Sequence, residues 1–320
     1  MKAVVFEQAG KAEDVLSIHE VTEPVPGAGE LLIRVTARPI HPADLMFIAG
    51  RYRVKPVFPQ VAGFDGVGTV VASGKGVDGF APGERVAFRS PGTWAEQATV
   101  PVAKVYRVPA GIPDEAACQF PLNPLTAWGL LDECQLTPGN RMLITAGRSM
   151  VARLLTALAL SRGIEPYLLV REVAGFRVFA AAGERTLAAG SGVAEALQQV
   201  GVTFHAVLDA VGGPASLALI DAIVPGGRLI TYGLLDDTPL TLKSSTLLFK
   251  NLYWQGFGVD AWLARTVPGQ LTAACDELWT LLGKEPELLP VVARFDLDRV
   301  KEAIKTYQTQ HQPGKILLCG

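Results

Sequence analysis

From about residue 140 the chain alternates short apolar strands with helices of roughly ten residues, a rhythm open to few architectures. Arg141–Thr145 reads as a strand, 151–161 as a helix and Pro166–Val170 as the next strand. Val173–Ala182 is predicted as helix-like, ahead of a short strand over Glu184–Leu187. A helix over 192–200, a strand at Ala206–Asp209 and, after Pro214–Val224, a strand at Gly227–Tyr232 complete the series. Strands and helices in this order pack as a doubly wound parallel sheet covered on both faces, and such sheets bind ligands beyond the carboxyl ends of their strands.

The first 110 residues have another texture. Leu31–Val35 follows Pro26-Gly27-Ala28-Gly29, Gly66–Val71 leads into Gly74 and Gly76, and Pro82-Gly83-Glu84-Arg85-Val86 opens a further strand. Short strands broken by Gly and Pro turns predict a twisted, barrel-like β unit. The texture changes near Pro121. After the alternating region, Leu271–Leu282 and Asp298–Gln308 look helical and Gly314–Leu318 looks like a closing strand. That tail is small for a domain of its own and is expected to pack back on the first unit. The predicted division is therefore 1–122 completed by 264–320, with 123–263 between them.

A chain of 320 residues suits two ordinary domains, and 49% hydrophobic against 19% charged residues excludes global disorder. The net charge of -2 argues against nucleic-acid and anionic-membrane partners, which call for a basic excess. No apolar run approaches the ~18 residues of a membrane helix. Met1–Phe6 runs straight into Glu7 and Gln8, so no signal peptide is expected. Cys118, Cys134, Cys275 and Cys319 are scattered without a CxxC pair, which suggests a reduced, cytoplasmic chain.

The turn after the first alternating strand reads Thr145-Ala146-Gly147-Arg148-Ser149-Met150-Val151-Ala152. Laid on G-x-G-x-x-G/A it places Gly147, Ser149 and Ala152 at the three small-residue positions, with Ala146–Val151 lining a pyrophosphate at the helix start. A plain strand-to-helix turn is the bland alternative, and Met150 sits beside the expected phosphate path. The next strand ends at Val170-Arg171-Glu172. Arg171 there favours the 2′-phosphate of NADPH; Glu172 leaves NADH open, and a solvated arginine is the simpler reading.

Several segments carry a resemblance: Gly63-Phe64-Asp65-Gly66-Val67-Gly68, the Pro82–Val86 turn, Tyr52 ahead of Val57-Phe58-Pro59, and Asn123–Trp128. Tyr232-Gly233 and Leu247–Leu252 running on to Gly256-Phe257 and Trp262 extend it. With these the chain resembles the medium-chain dehydrogenases/reductases throughout. Within them it is similar to the zinc-independent quinone oxidoreductase and mitochondrial-type 2-enoyl thioester reductase branch. It departs from that branch at Met150 and Ala152, where glycine is usual. The resemblance implies a GroES-like catalytic barrel, a Rossmann domain, NADPH and a homodimer. It puts Asn123 and Thr126 near the nicotinamide, Tyr232 and Gly233 at the cofactor ribose, Phe257 over the nicotinamide side and Lys315 reaching toward it. Trp262 is carried over with Tyr52 as catalytic.

Zinc-dependent relatives place Cys where this chain has His41, and His-Glu where it has Phe64 and Asp65. His41, Asp44 and Asp65 could nominally supply three ligands, but Phe64 removes an imidazole and the four-cysteine zinc lobe is missing, so no metal is expected. His41 is then a polar cleft or core residue. The resemblance makes Tyr52 a proton donor, or a hydrogen-bond donor to a thioester oxygen; an exposed loop tyrosine is the alternative. Arg51, Arg53 and Lys55 around it could meet the phosphates of an acyl-CoA, or form a solvated loop. The expected activity is NADPH-dependent, zinc-independent reduction of a conjugated double bond, with a small-molecule 2-enoyl thioester as first substrate. NADPH:quinone reduction and a family member that binds cofactor without catalysis are the alternatives.

Overall fold

The computed structural model describes residues 1–182, 185–309 and 314–320. The chain begins with β1 (Lys2–Phe6), α1 (Ala12–Val15), β2 (Ser17–Glu20), β3 (Glu30–Pro39) and α2 (Pro42–Ile48). Then come β4 (Gln60–Val61), β5 (Asp65–Ser73), β6 (Arg85–Arg89), β7 (Gln97–Pro101), β8 (Val105–Arg107) and α3 (Asp114–Ala117). The alternating region holds α4 (Asn123–Cys134), β9 (Arg141–Ile144), α5 (Met150–Ser161), β10 (Glu165–Glu172), β11 (Gly175–Ala180) and β12 (Arg185–Gly190). It goes on through α6 (Val193–Val200), β13 (Phe204–Asp209), α7 (Ala215–Asp221), β14 (Ile223–Thr231), α8 (Ser244–Lys250) and β15 (Tyr253–Gly256). The last elements are α9 (Val259–Arg265), α10 (Pro268–Lys284), β16 (Val291–Asp296), α11 (Val300–Thr309) and β17 (Lys315–Cys319).

Two compact units result: Met1–Leu122 with Glu277–Gly320, and Asn123–Asp276. The second boundary lies inside α10, not at residue 264. Arg265 pairs with Glu133, and Gln270 Nε2 donates to Asp132 Oδ2 at 2.7 Å, so the residues just after 263 are tied to α4.

In the first unit one sheet runs β16-β17-β3-β5-β6-β8, with β7 also on β3, and a smaller sheet runs β2-β1-β4. The tail enters through β17, antiparallel to β3 with Leu318 opposite Arg38. Period-two alternation makes a core of Leu31, Ile33, Val35, Val86, Phe88 and Val100. Gly63 ahead of β5 has φ +87, and a Cβ there would meet the Trp94 indole at 2.1 Å, so the turn requires glycine. Arg38 is fully buried and donates to the carbonyls of Thr93, Val35, Ala95 and Gly320. Backbone oxygens thus solvate this buried charge.

In the second unit β10, β9, β13, β14 and β15 are parallel neighbours. Leu143, Leu169, Val207 and Leu229 meet Leu197, Leu219 and Ile220 of α6 and α7 on one face. Their alternates Met142, Ile144, Leu208 and Ile230 are equally buried, so both faces are covered, as a doubly wound sheet requires.

One prediction fails. Val173–Ala182 is not a helix: β11 returns antiparallel to β10, and β12 runs antiparallel to β11. Val173-Ala174 is too short a connection for a parallel crossover, and the run Phe176-Arg177-Val178-Phe179 suits a pleated surface. Val178 is fully buried between half-buried neighbours. The sheet order is β12-β11-β10-β9-β13-β14-β15, mixed at one end. Of the short strand predicted over Glu184–Leu187, Glu184 lies outside the described residues.

Candidate active site

The predicted site residues fall in both units. In the barrel unit, His41 precedes α2, with Pro42 setting its first turn, and its backbone N–H donates to Asp44 Oδ2 at 2.7 Å in a capping-box arrangement. Asp65 begins β5 and faces Arg89 at the end of β6 in the strand register. Arg89 Nη1 reaches Asp65 Oδ2 at 2.5 Å, and its Nη2 donates to the Tyr52 hydroxyl at 3.3 Å. Lys315, the first residue of β17, places Nζ 2.8 Å from His41 Nδ1, while His41 Nε2 stands 3.5 Å from Asp65 Oδ2. His41, Asp44 and Asp65 have almost no exposed surface, and Arg89 and Lys315 little more. The tyrosine and its cationic loop are therefore backed by a buried polar array.

Burial dominates the titration of this array. It drives His41 well below the usual imidazole range, helped by Lys315 and Arg89, so His41 is neutral. Burial, and then the neighbouring Asp65, push Asp44 up to about 7. Burial pushes Asp65 up as well, opposed by Arg89. Lys315 is brought down to about 8 by burial, against the pull of Asp44 and Asp65.

The Asp44 shift has a sign that can be checked. Its folded carboxyl binds a proton more tightly than the unfolded one, so the protonated form's contribution to stability is complete below about pH 4 and is lost as pH rises through about 7. Wild type should therefore lose stability relative to Asp44→Asn between about pH 4 and 7, at no more than about 1.4 kcal/mol per pH unit. Above pH 7 the gap should stay constant. Urea unfolding of both proteins across this range measures it.

The same geometry tests the donor set for zinc. Catalytic zinc needs three protein ligands and an open position. Here His41 Nδ1 is taken by an ammonium and Asp65 by a guanidinium, so two cations stand among the nominal ligands. Phe64, in place of an imidazole, packs its ring against Phe47 and Tyr52. These residues do not fit a zinc ion. No group of three or more His, Cys, Asp or Glu among the described residues could hold a metal.

Arg51, Arg53 and Lys55 are exposed at alternate positions beyond α2; the Arg53 guanidinium lies 5.5 Å from the Tyr52 ring centre, and Lys55 Nζ donates to the Gly50 carbonyl. Tyr52 itself is half-buried, its ring 5.3 Å from that of Phe64. Lys315, which the resemblance sends toward the nicotinamide, has its ammonium on His41.

In the second unit the strand ends gather the remaining residues. Gly147 lies so close to β10 that a Cβ would meet Leu168 Cβ at 2.8 Å and Val170 Cγ2 at 3.1 Å. Ala146 carries the turn at φ +48. Ser149 caps α5, its Oγ accepting from Ala152 N at 3.2 Å. The amides of Met150 and Val151, in the first turn of α5, have no intrahelical acceptor and suit an anion. Met150 and Ala152 are both buried; the methionine does not project to solvent. Arg171 is exposed and makes no ion pair among the described residues, whereas Glu172 is clasped by Arg148 at 3.1 Å and Arg177 at 2.9 Å.

Asn123 and Thr126 are buried on the first turn of α4, and Asn123 Nδ2 finds no hydrogen-bond partner. Tyr232 follows β14; its hydroxyl is buried without a hydrogen bond, though near enough to Ser149 to feel it, and burial pushes the phenol's pKa up. Gly233 lies against Ala210, whose carbonyl a Cβ would meet at 2.2 Å. An orphaned amide, an orphaned phenol and a glycine-tight turn suit a polar ligand along this edge, and these residues fit a dinucleotide.

Trp262 does not lie where the resemblance implies. Trp262 is 1% exposed, lies 5.6 Å from Trp128 and donates to Asp132, and its ring, like that of Phe257, presses on Gly129 of α4. Trp262 is a core side chain and not a catalytic one; Phe257 keeps partial exposure.

Two residues were missed. Arg89 is one, although a carboxylate in the Gly-Val run of β5 signals that a buried cation must exist somewhere. Asp209 is the other: fully buried at the end of β13, it accepts from Thr145 Oγ1, Ser216 Oγ and the amides of Val211 and Gly212. It thereby shapes the loop at the carboxyl edge.

Residues 27–110 match the family described as Alcohol dehydrogenase GroES-like domain, and residues 185–318 that described as Zinc-binding dehydrogenase. The chain is 30% identical over 282 residues to the mitochondrial enoyl-[acyl-carrier-protein] reductase of Bos taurus, covering 84% of this chain and 75% of that protein. Its counterpart in Arabidopsis thaliana is 29% identical over 308 residues, 90% and 81% of the two chains. The solved Escherichia coli quinone oxidoreductase complexed with NADPH shares the fold at TM-score 0.84 and 21% identity, over 100% of both chains. This chain belongs to the medium-chain dehydrogenase/reductase superfamily of oxidoreductases. The second family's name mentions zinc, but the donor set described above does not fit it.

Proposed function

We propose that the protein is an NADPH-dependent, zinc-independent reductase of an activated carbon–carbon double bond, with a 2-enoyl thioester as substrate. The observation that carries this reading is the Tyr52–Arg89–Asp65 array: a phenol held by a buried guanidinium at the position where zinc-dependent relatives use a metal. The curated relatives named above as enoyl reductases support it.

Bound NADPH would supply a hydride from nicotinamide C4 to the β-carbon. The chain's own tasks are binding and protonation. In the second unit, the start of α5 would take the pyrophosphate, Arg171 the 2′-phosphate, and Asn123, Thr126 and Tyr232 the remaining polar groups. In the barrel unit, Tyr52 would give its proton at the α-carbon or hydrogen-bond the thioester oxygen. Arg51 and Arg53 would meet the phosphates of the acyl carrier. Four free cysteines fit a reducing, cytoplasmic setting. The outer edge of β15, with Leu248, Phe249 and Tyr253 exposed beside it, is where a second copy would pair.

Quinone reduction is the competing reaction, supported by the fold shared with quinone oxidoreductases. Oxidation of NADPH at 340 nm, followed in parallel with an enoyl-CoA and a simple benzoquinone, separates the two. Turnover of the enoyl-CoA is expected; turnover of the quinone alone would reverse the assignment. Arg171→Ala should lower the preference for NADPH over NADH by about tenfold, the loss expected for one hydrogen bond to a charged group. An unchanged ratio of kcat/KM values would remove Arg171 from the site.

A further inference from the structure

We propose that Arg89 is a positioning residue for Tyr52: its guanidinium donates to the phenol oxygen and so leaves the hydroxyl proton to point away from the barrel interior, toward substrate. The inference rests on the reading of Tyr52 as proton donor. Its support is geometric. A guanidinium has five N–H donors and no acceptor, so the contact at 3.3 Å has one possible direction: Arg89 gives and the Tyr52 oxygen receives. The phenol's single proton cannot lie along that line.

Arg89 is fixed from behind. Nη1 is held on Asp65 at 2.5 Å, the strand register sets the two residues opposite one another, and the side chain lies over the Phe64 ring at 5.2 Å. Asp65 in turn faces His41, whose orientation depends on Lys315. An ammonium only donates, so His41 Nδ1 accepts from it, and the neutral imidazole carries its proton on Nε2, toward Asp65. The other tautomer would set a lone pair against the carboxylate. Among the described residues, Asp44 on α2, Tyr307 on α11 and Cys118 near Lys315 are further ionisable neighbours of this array. None of its charges is directed at a metal; together they hold one guanidinium still.

Arg89→Lys keeps a cation for Asp65 but loses the planar fork that serves two partners at once. It should lower kcat with an enoyl thioester about tenfold at unchanged affinity for NADPH. Its effect should vanish in a Tyr52→Phe background, because the oxygen it positions is gone. Equal losses in both backgrounds, or no loss in either, would overturn the proposal. If Arg89→Lys fails to fold, the Arg89→Gln/Asp65→Asn pair removes both charges together and enters the same cycle with the same criteria. A second readout does not depend on turnover: the ¹³Cζ resonance of Tyr52, assigned with Tyr52→Phe, should move in Arg89→Lys and stay put in the control Arg85→Lys. An unmoved resonance refutes the contact. A moved resonance in a protein that reduces no enoyl thioester would uphold the contact and sink the proposed function instead.

Discussion

Tyr52→Phe is expected to lower kcat for a 2-enoyl thioester by roughly 10²-fold or more, the usual range for removing a positioned proton donor. NADPH affinity, read by quenching of tryptophan fluorescence, should stay within about twofold, because the proposed dinucleotide residues all belong to the other unit. The substitution removes one oxygen and leaves the ring where it is, against Phe64 and under the Arg53 guanidinium. A loss in kcat at constant affinity therefore separates chemistry from packing. An unaltered rate would remove Tyr52 from catalysis and return it to the reading of a loop tyrosine.

Asp65→Ala should have the largest effect on stability, about 3–5 kcal/mol, as expected when one partner of a buried ion pair is removed. Arg89 is 6% exposed and would keep its charge in a site that has lost its carboxylate. Asp65→Asn, which still accepts a hydrogen bond, should cost clearly less. Urea unfolding of the three proteins, read from Trp94 in the same unit, would rank them. Equal stability of Asp65→Ala and wild type would mean that Asp65 is not the counter-ion of Arg89. These losses arise from desolvation, so unlike those of an exposed pair they should change little with added salt.

The fold was legible where periodicity decides. Alternating burial in Leu31–Val35 and the full burial of Met142–Ile144 follow from runs that can be read by eye. Val173–Ala182 misled because its alanines suit a helix, while the two-residue turn and the aromatic pair that make it a strand act only once β10 is beside it. Local spacing put Gly147 and Ser149 in the strand-to-helix turn where they lie, whereas Tyr232 was reached only through the resemblance. Trp262 was misplaced because an aromatic at a family position does not reveal whether its ring points to a ligand or to the core. Arg89 was invisible for a different reason. Its meaning lies in a partner 24 residues away and in the strand register that joins them, and no single segment holds both.

The most direct test of the proposed reaction follows the hydride itself. NADPH carrying deuterium at the transferable C4 position should be incubated with the protein and a 2-enoyl-CoA, and the saturated product analysed by mass spectrometry and NMR. One deuterium at the β-carbon, with the solvent-derived hydrogen at the α-carbon, is the predicted outcome. A saturated thioester without label at the β-carbon, or no saturated thioester while NADPH is consumed with a quinone, would contradict it.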